Sequence, residues 1–379
     1  MPAVAGPLDR GCAVTGMRQW LALTPRDALL IRDGRRFDAG ADTSAEPARP
    51  TPSTVGGAIF SAYGGLPGAE PEEIRGPVLA QWHAGGWWTP YFPAPADLVR
   101  SADDHSLVTR LRPTESAAVT DLGDGCPRLM VGEGDPLDGW LPGDTLGAYL
   151  RGELFTGADP HRSVDDLDLG FVRDDPDIDP GPLAREPRVG LGRTAERVAR
   201  DGLLYQATFL RPVDGVALLA ECVLPPAWQR TAAGPVALGG RGRLADVAEV
   251  DGVAWPDPPA EFTEGRVLVY VATPAVWPDG WRITVPPGAR LVAAAVGPPE
   301  PIATASPRSP GGVRATRVLR WAVPPGSVYL LQFDNADAAA AWAIGDGDRV
   351  GAHGTAYGRP AKDRLRTAGF GVVLTGVWS

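Results

Sequence analysis

Lysine is almost missing from this chain: Lys362 stands alone beside 35 arginines. The basic side is therefore made of guanidinium groups, whose planar forks suit phosphate and carboxylate oxygens, while the ammonium point charge is hardly used. So general a bias also follows from genome base composition, and a single arginine carries little weight. Cysteine is scarce as well. Cys12, Cys126 and Cys222 are far apart and form no Cys-x-x-Cys, which excludes a disulfide framework and a cysteine zinc site. A reducing cytoplasm fits that usage. No apolar run approaches the roughly 20 residues of a membrane helix, and MPAVAGPLDRG at the start has no apolar core of a signal peptide. The expectation is a soluble cytoplasmic protein with no membrane partner, no cofactor and no metal.

Glycine and proline are plentiful instead, 48 and 40 of 379 residues, with no repeat. They imply many turns rather than long helices. The length predicts two or more modules with a sizeable core, and an apolar content of 44% with 22% charged is ordinary for a soluble chain. The net charge of −10 is unevenly placed. Residues 121–186 hold sixteen acids against five arginines, so the rest of the chain is close to neutral. A local basic groove therefore remains compatible with an acidic total. At the centre of that block, DDLDLGFVRDDPDIDP places Asp165, Asp166, Asp168, Asp174, Asp175, Asp177 and Asp179 close together. The spacing matches no EF-hand, and the composition predicts a solvated loop.

The stretch from residue 28 to residue 63 organises the remainder. ALLI (28–31) reads as a strand entering a tight turn at Asp33-Gly34, and Arg32, Arg35 and Arg36 crowd that turn. Pro52, Ser53 and Thr54 then read as a helix start, with a hydroxyl as cap and an end near Gly64. A helix N-terminus beside arginines suits an anion such as a phosphate. Further on, QWHAGGWWTPYFPAP (81–95) is rich in tryptophan. It fits a stacking platform for bases, and fits better a packing hub or a partner-facing surface.

The second half reads mainly as strands. LLYQATFLR (203–211) and VALLAECVL (216–224) around PVDG predict a hairpin. VALGGRGRL (236–244), RVLVYVATP (266–274), ARLVAAAVG (289–297), GSVYLLQFD (326–334) and AGFGVVLTGVW (368–378) are further strands. One helix is predicted over 336–344, capped by Asn335. Many strands and few helices predict an α+β fold with antiparallel sheets. Besides the basic turn, three arginine groups stand out: Arg188, Arg193, Arg197 and Arg200; Arg308, Arg314, Arg317 and Arg320; and Arg359, Lys362, Arg364 and Arg366. An RNA reading requires such groups to converge.

Taken in order, LTPRDALLIRDGRRF, PSTVGGAIFSAYG, RVGLGRTAERVARDGLLYQATFLRPVDGVALLAECV, LGGRGRL, ATPAVWPDGW, AVPPGSVYLL and GFGVVLTGVW resemble the Cmr3 family. These proteins are Cas5-related RAMP-superfamily subunits of type III-B CRISPR effector complexes. The resemblance implies two ferredoxin-like (RRM-like) halves with antiparallel sheets and long loop insertions. It suggests a tail over 1–17, an N-terminal half over 18–120 with the tryptophan-rich insertion, an acidic insertion over 121–186 and a C-terminal half over 187–379. It implies a non-catalytic subunit that grips the 5′ tag of crRNA and touches the Cas10-type large subunit and the Cmr4-like backbone subunit. Tag binding carries over to Arg32, Arg35, Arg36, Ser53 and Thr54, and further to Arg193, Arg241, Gly369 and Gly371. Glycines let backbone approach a phosphate closely. Where the family often has a basic residue, this chain has Phe60. Two other readings exist: a RAMP-type endoribonuclease that processes crRNA precursor with His353 as general acid/base, and a scaffold without RNA contacts.

Overall fold

Val216–Leu224 is apolar at nearly every position, and all nine of its residues are buried. Such a run fits only a strand covered on both faces and flanked on both edges. In the computed structural model, Met17–Pro25 pairs with one edge and Glu73–His83 with the other. The structure describes residues 17–33, 48–64, 73–115, 128–155, 161–168, 182–224, 234–304, 318–346, 349–360 and 363–379. The strand over 216–224 is the centre of a seven-stranded antiparallel sheet. Its order is Val236–Ala237, Leu244–Val250, Met17–Pro25, Val216–Leu224, Glu73–His83, Trp87–Pro93 and Trp140–Pro142.

That pairing corrects the expected hairpin between 203–211 and 216–224. Ala199–Pro212 pairs with Leu183–Arg193 instead, forming a long two-stranded ribbon outside the sheet. Gly215 turns the chain with φ +79°, and its carbonyl accepts from the Trp82 N–H at 2.8 Å. Both edges of 216–224 are already occupied, so no place remains beside it for the 199–212 strand. The sheet also runs across the division expected near residue 187, because 216–224 and 244–250 pair with strands from the first hundred residues.

The second sheet has five antiparallel strands in the order Ala289–Ala295, Val328–Phe333, Arg266–Val271, Val372–Gly376 and Thr355–Ala356. Alternate residues of Arg266–Val271 face opposite cores: Leu268 and Tyr270 join one cluster, Val267, Val269 and Val271 the other. With both faces covered, the polar–apolar alternation of a half-exposed strand is lost. Helix Ala336–Ala343 lies on the second of these cores through Ala339 and Ala343. The Asn335 carboxamide oxygen accepts from the Ala338 N–H at 2.8 Å, the cap expected from the sequence.

The chain between the strands 73–83 and 216–224 covers the other core. Leu98, Val108, Leu146, Tyr149 and Leu150 pack with Tyr270, Val372 and Leu374. Asp97, fully buried, accepts 2.7 Å hydrogen bonds from the Tyr149 hydroxyl and from Arg110 Nε. The acidic segment was expected to be a solvated insertion, but its described part is structural. Trp140–Pro142 extends the first sheet, and helix Gly143–Leu150 buries Leu146, Tyr149 and Leu150. The charges lie between apolar positions, so net charge did not reveal the helix. Asp174, Asp175, Asp177 and Asp179 lie outside the described residues. Antiparallel sheets with few helices make the chain α+β, as the strand pattern predicts.

Candidate nucleic-acid interface

The segment 28–31 is buried and apolar, as read from the sequence, but it joins no large sheet. Leu29 exchanges backbone hydrogen bonds of 2.7 and 2.8 Å with Leu210 on the long ribbon. On the other side, the Gly240 N–H donates to the Leu30 carbonyl at 2.8 Å, and the Ala48 N–H donates to that of Ile31 at 3.1 Å. Three separate stretches therefore meet on one short extended segment: the ribbon, the LGGRGRL turn and the chain leading into the first helix. Arg32 follows directly and is exposed.

Arg241 sits exposed at the tip of the glycine-rich turn. It has φ +55°, uncommon for a residue with a side chain, next to Gly239 at +84° and Gly242 at +68°. A Cβ on Gly239 would come within 2.9 Å of the Leu30 carbonyl oxygen. Glycine there is what allows the turn to press against 28–31 with Arg241 exposed at its tip.

The helix start expected at Pro52, Ser53 and Thr54 is that of helix Pro52–Ile59. Thr51 is the N-cap residue and Pro52 occupies the first turn, where its missing N–H is no loss. Thr51 makes no side-chain cap bond; its hydroxyl lies 3.0 Å from Ser53 Oγ and 3.1 Å from Thr54 Oγ1. Ser53 and Thr54 thus line the first turn as half-buried hydroxyls. Arg49, which sequence reading passed over, lies over the Trp140 ring at 4.7 Å, just ahead of the helix.

The ribbon brings its own charges. Phe209 lies between Arg188 and Arg243, whose guanidinium carbons are 4.4 and 4.7 Å from its ring centre. Asp27 pairs with Arg243 and Arg211, and Glu186 with Arg211 and Arg188. The Ala28 N–H, then Arg243 and Arg211, hold the Asp27 carboxyl below its ordinary range; Arg211 and Arg188 do the same for Glu186. Two carboxylates set against three guanidiniums leave this array positive. Arg193 ends the strand 183–193 near the ribbon tip.

The other expected residues lie elsewhere. Arg35, Arg36, Arg308, Arg314, Arg317 and Lys362 are outside the described residues. Arg359 donates to the Val276 carbonyl and pairs with Asp363, and Arg366 donates to the Arg359 carbonyl, so these two arginines are engaged within the protein. Gly369 and Gly371 are buried. A Cβ on Gly369, at φ +99°, would meet the Ile74 and Gly76 carbonyl oxygens at 2.8 and 2.9 Å. One on Gly371 would meet that of Tyr357 at 3.3 Å. These close approaches are to protein backbone. His353 is largely buried, accepting at Nδ1 from the Thr375 N–H (2.9 Å) and donating from Nε2 to the Pro256 carbonyl (2.8 Å). Burial lowers its pKa. Both ring nitrogens are occupied, which leaves neither for a bound substrate. Among the described residues no His/Cys/Asp/Glu group is arranged to hold a metal.

Mostly sheet, short in helix and with arginine-bearing turns on its surface, the chain is an antiparallel α+β protein. The family model described as CRISPR-associated protein (Cas_Cmr3) matches residues 21–378, and the chain belongs to that family. No curated protein matches it. Among solved structures it is similar to a chain in the cryo-EM structure of the Type III-B Cmr-beta bound to cognate target RNA. That chain is 14% identical with a TM-score of 0.46, over 82% of this chain and 86% of that one. A chain of the same assembly with target RNA and AMPPnP, state 1, gives 14%, 0.44, 82% and 86%.

Proposed function

We propose that this chain is a non-catalytic subunit of a type III-B CRISPR effector complex that seats the 5′ tag of a crRNA. In this reading it joins the Cas10-type large subunit to the Cmr4-like backbone subunit. The observation that carries the reading is the meeting of Arg32, the Arg241 turn and the Thr51–Ser53–Thr54 helix start around residues 28–31. Guanidiniums, hydroxyls and a helix N-terminus carried by chain segments that join at residues 28–31 suit a single-stranded phosphate backbone. Arg35 and Arg36 belong to the same turn in sequence, and Arg193 is the last residue of the ribbon strand 183–193. Gly369 and Gly371 serve as a joint of protein backbone and contribute no phosphate contact. The engaged ring nitrogens of His353 speak for a non-catalytic role.

The same reading extends to the fold. Each sheet contains four strands which, numbered by chain position, lie in the order 4-1-3-2, the arrangement of a ferredoxin-like unit. We place one such half on residues 17–250, with 84–215 as its insertion, and the other on 266–376.

The test is ribonuclease footprinting of the assembled particle with its guide. Changing Arg32, Arg35, Arg36 and Arg241 together to Ala should expose the 5′ end while leaving subunit composition unchanged. It should also flatten the log–log salt dependence of guide binding by about 0.7 for each phosphate that the variant no longer neutralises. An unchanged footprint would favour a scaffold that does not touch RNA.

A further inference from the structure

The tryptophan-rich strand and the acidic helix face one groove on the far side of the first sheet, remote in role from the arginine-bearing turns. It is lined by Trp87 and Trp88, by Asp144 of helix Gly143–Leu150 and Arg151 just after it, and by Trp255 and Asp257 of the connection to the second sheet. Trp87 is 56% exposed, although its ring is stacked on His83 at 5.1 Å and 13°. Trp255 is anchored below by Trp20 at 5.5 Å and by a 3.0 Å hydrogen bond from its indole N–H to Glu221. An exposed indole on a rigid floor of indoles is what a partner surface presents.

Two further features say what would lie there. Trp87, Trp88 and Thr89 pair with His83, Trp82 and Gln81 on one side. On the other side Trp140–Pro142 covers only Tyr91–Pro93, so among the described residues no strand pairs with the outer edge at 87–89. An open edge accepts an extended chain. The charge then selects its side chains. Asp144 and Asp257 are exposed, and among the described residues neither makes a hydrogen bond or salt bridge, although both lie near enough to Arg151 to help raise its pKa. The one cation in the groove, Arg151, is engaged by Glu153 through bonds of 2.7 and 2.8 Å. Two carboxylates beside three indoles repel a phosphate backbone and attract a guanidinium, which gains both an ion pair and a cation–π contact.

We infer that this groove binds an extended, arginine-bearing segment of a partner protein, added to the 87–89 edge with its arginines over Trp87 and against Asp144 and Asp257. Alternate side chains of a strand share a face, so arginine at every second position would place several in the groove. The inference does not rest on the RNA reading.

The probe is a blocked peptide alternating arginine with valine, titrated by calorimetry into the full-length chain. Saturable binding is expected. It should weaken about tenfold in Trp87→Ala and about tenfold in the double variant Asp144→Asn, Asp257→Asn. The Asp pair is exposed, so it keeps the test independent of any folding defect in Trp87→Ala. A glutamate–valine peptide and an oligouridylate should not compete, and the guide footprint of the assembled particle should be unchanged in both variants. No saturable binding, binding indifferent to the Asp pair, or competition by oligouridylate would each overturn the inference.

Discussion

The two large sheets use the same order of their four principal strands and reach it in opposite ways. In the second, all four strands come from residues 266–376 and both faces are packed, one against helix Ala336–Ala343 and the other against the 84–155 chain. The first sheet takes its second strand from 73–83 and its third from 216–224, and leaves Trp82 and Trp87 exposed near one edge. The chain interposed between those two strands is what covers the neighbouring sheet. Chain that lies between two strands of the first sheet is thus part of the core beneath the second, and the first sheet, with Trp82 and Trp87 exposed, borders the tryptophan groove. Non-local pairing costs more loop-closure entropy before it is rewarded, so the first sheet is also the harder one to assemble.

The strongest way to break this comparison is at the buried carboxylate that ties the insertion together. Arg110→Met leaves Asp97, 0% exposed, with only the Tyr149 hydroxyl to compensate it among the side chains of the described residues. Removing one partner of a buried ion pair costs about 3–5 kcal/mol. The midpoint of chemical denaturation should fall accordingly, and proteolysis should cut first between residues 84 and 155. A loss below about 1 kcal/mol would mean that the insertion is a surface appendage and the two units are independent.

A smaller effect is expected at the joint between the sheets. Gly369 needs φ +99°, and an added Cβ would lie within 2.8 Å of the Ile74 carbonyl oxygen on the first sheet. Gly369→Ala should destabilise by about 2–3 kcal/mol through backbone strain and displacement. The same substitution at Gly57, where a Cβ meets nothing within 4 Å, should be neutral or stabilising because Ala favours helix. If the two variants behave alike, the sheets do not bear on each other at this point.

What the sequence made legible was local. The strands at 266–271, 289–295, 328–333 and 372–376 and the Asn335-capped helix follow from apolar runs and a single side-chain cap, each decided within a dozen residues. The pairing of 216–224 was not legible, because a PVDG turn between two apolar runs predicts a hairpin and nothing local reveals that the run is wanted elsewhere. The helix at 143–150 was hidden by the net charge around it. At the candidate interface, Arg32 and Arg241 could be named from sequence. Their neighbourhood depends on Gly240 bonding to Leu30 across more than two hundred residues, and Arg49 and the Phe209 array carried no motif. The glycines of GFGVVL were legible as glycines that matter, though their close neighbours are protein carbonyls, those of Ile74 and Gly76 for Gly369 and that of Tyr357 for Gly371.

The mildest test distinguishes the sheets by pH. His353 sits between the second sheet, through Thr375, and the 251–262 connection from the first, through Pro256. The folded state holds it neutral, since a proton on Nδ1 would face the Thr375 N–H donor. Burial lowers its pKa and nearby Arg75 adds to that, while the Pro256 carbonyl and Asp257 oppose. Unfolded, the ring has its ordinary value of about 6.5. Below that pH the unfolded chain takes up the proton that the folded chain resists, so stability is lost as pH falls, by at most about 1.4 kcal/mol per pH unit, until the folded pKa is reached. Lowered carboxylates such as Asp27 and Asp363 add their losses only nearer their own range, below about pH 4. Melting temperatures between about pH 7 and pH 5 should therefore fall less in His353→Gln than in the unaltered chain. Equal slopes would show that the imidazole accepts its proton without parting the connection from the second sheet, and that the two units separate less readily there than their shared hydrogen bonds suggest.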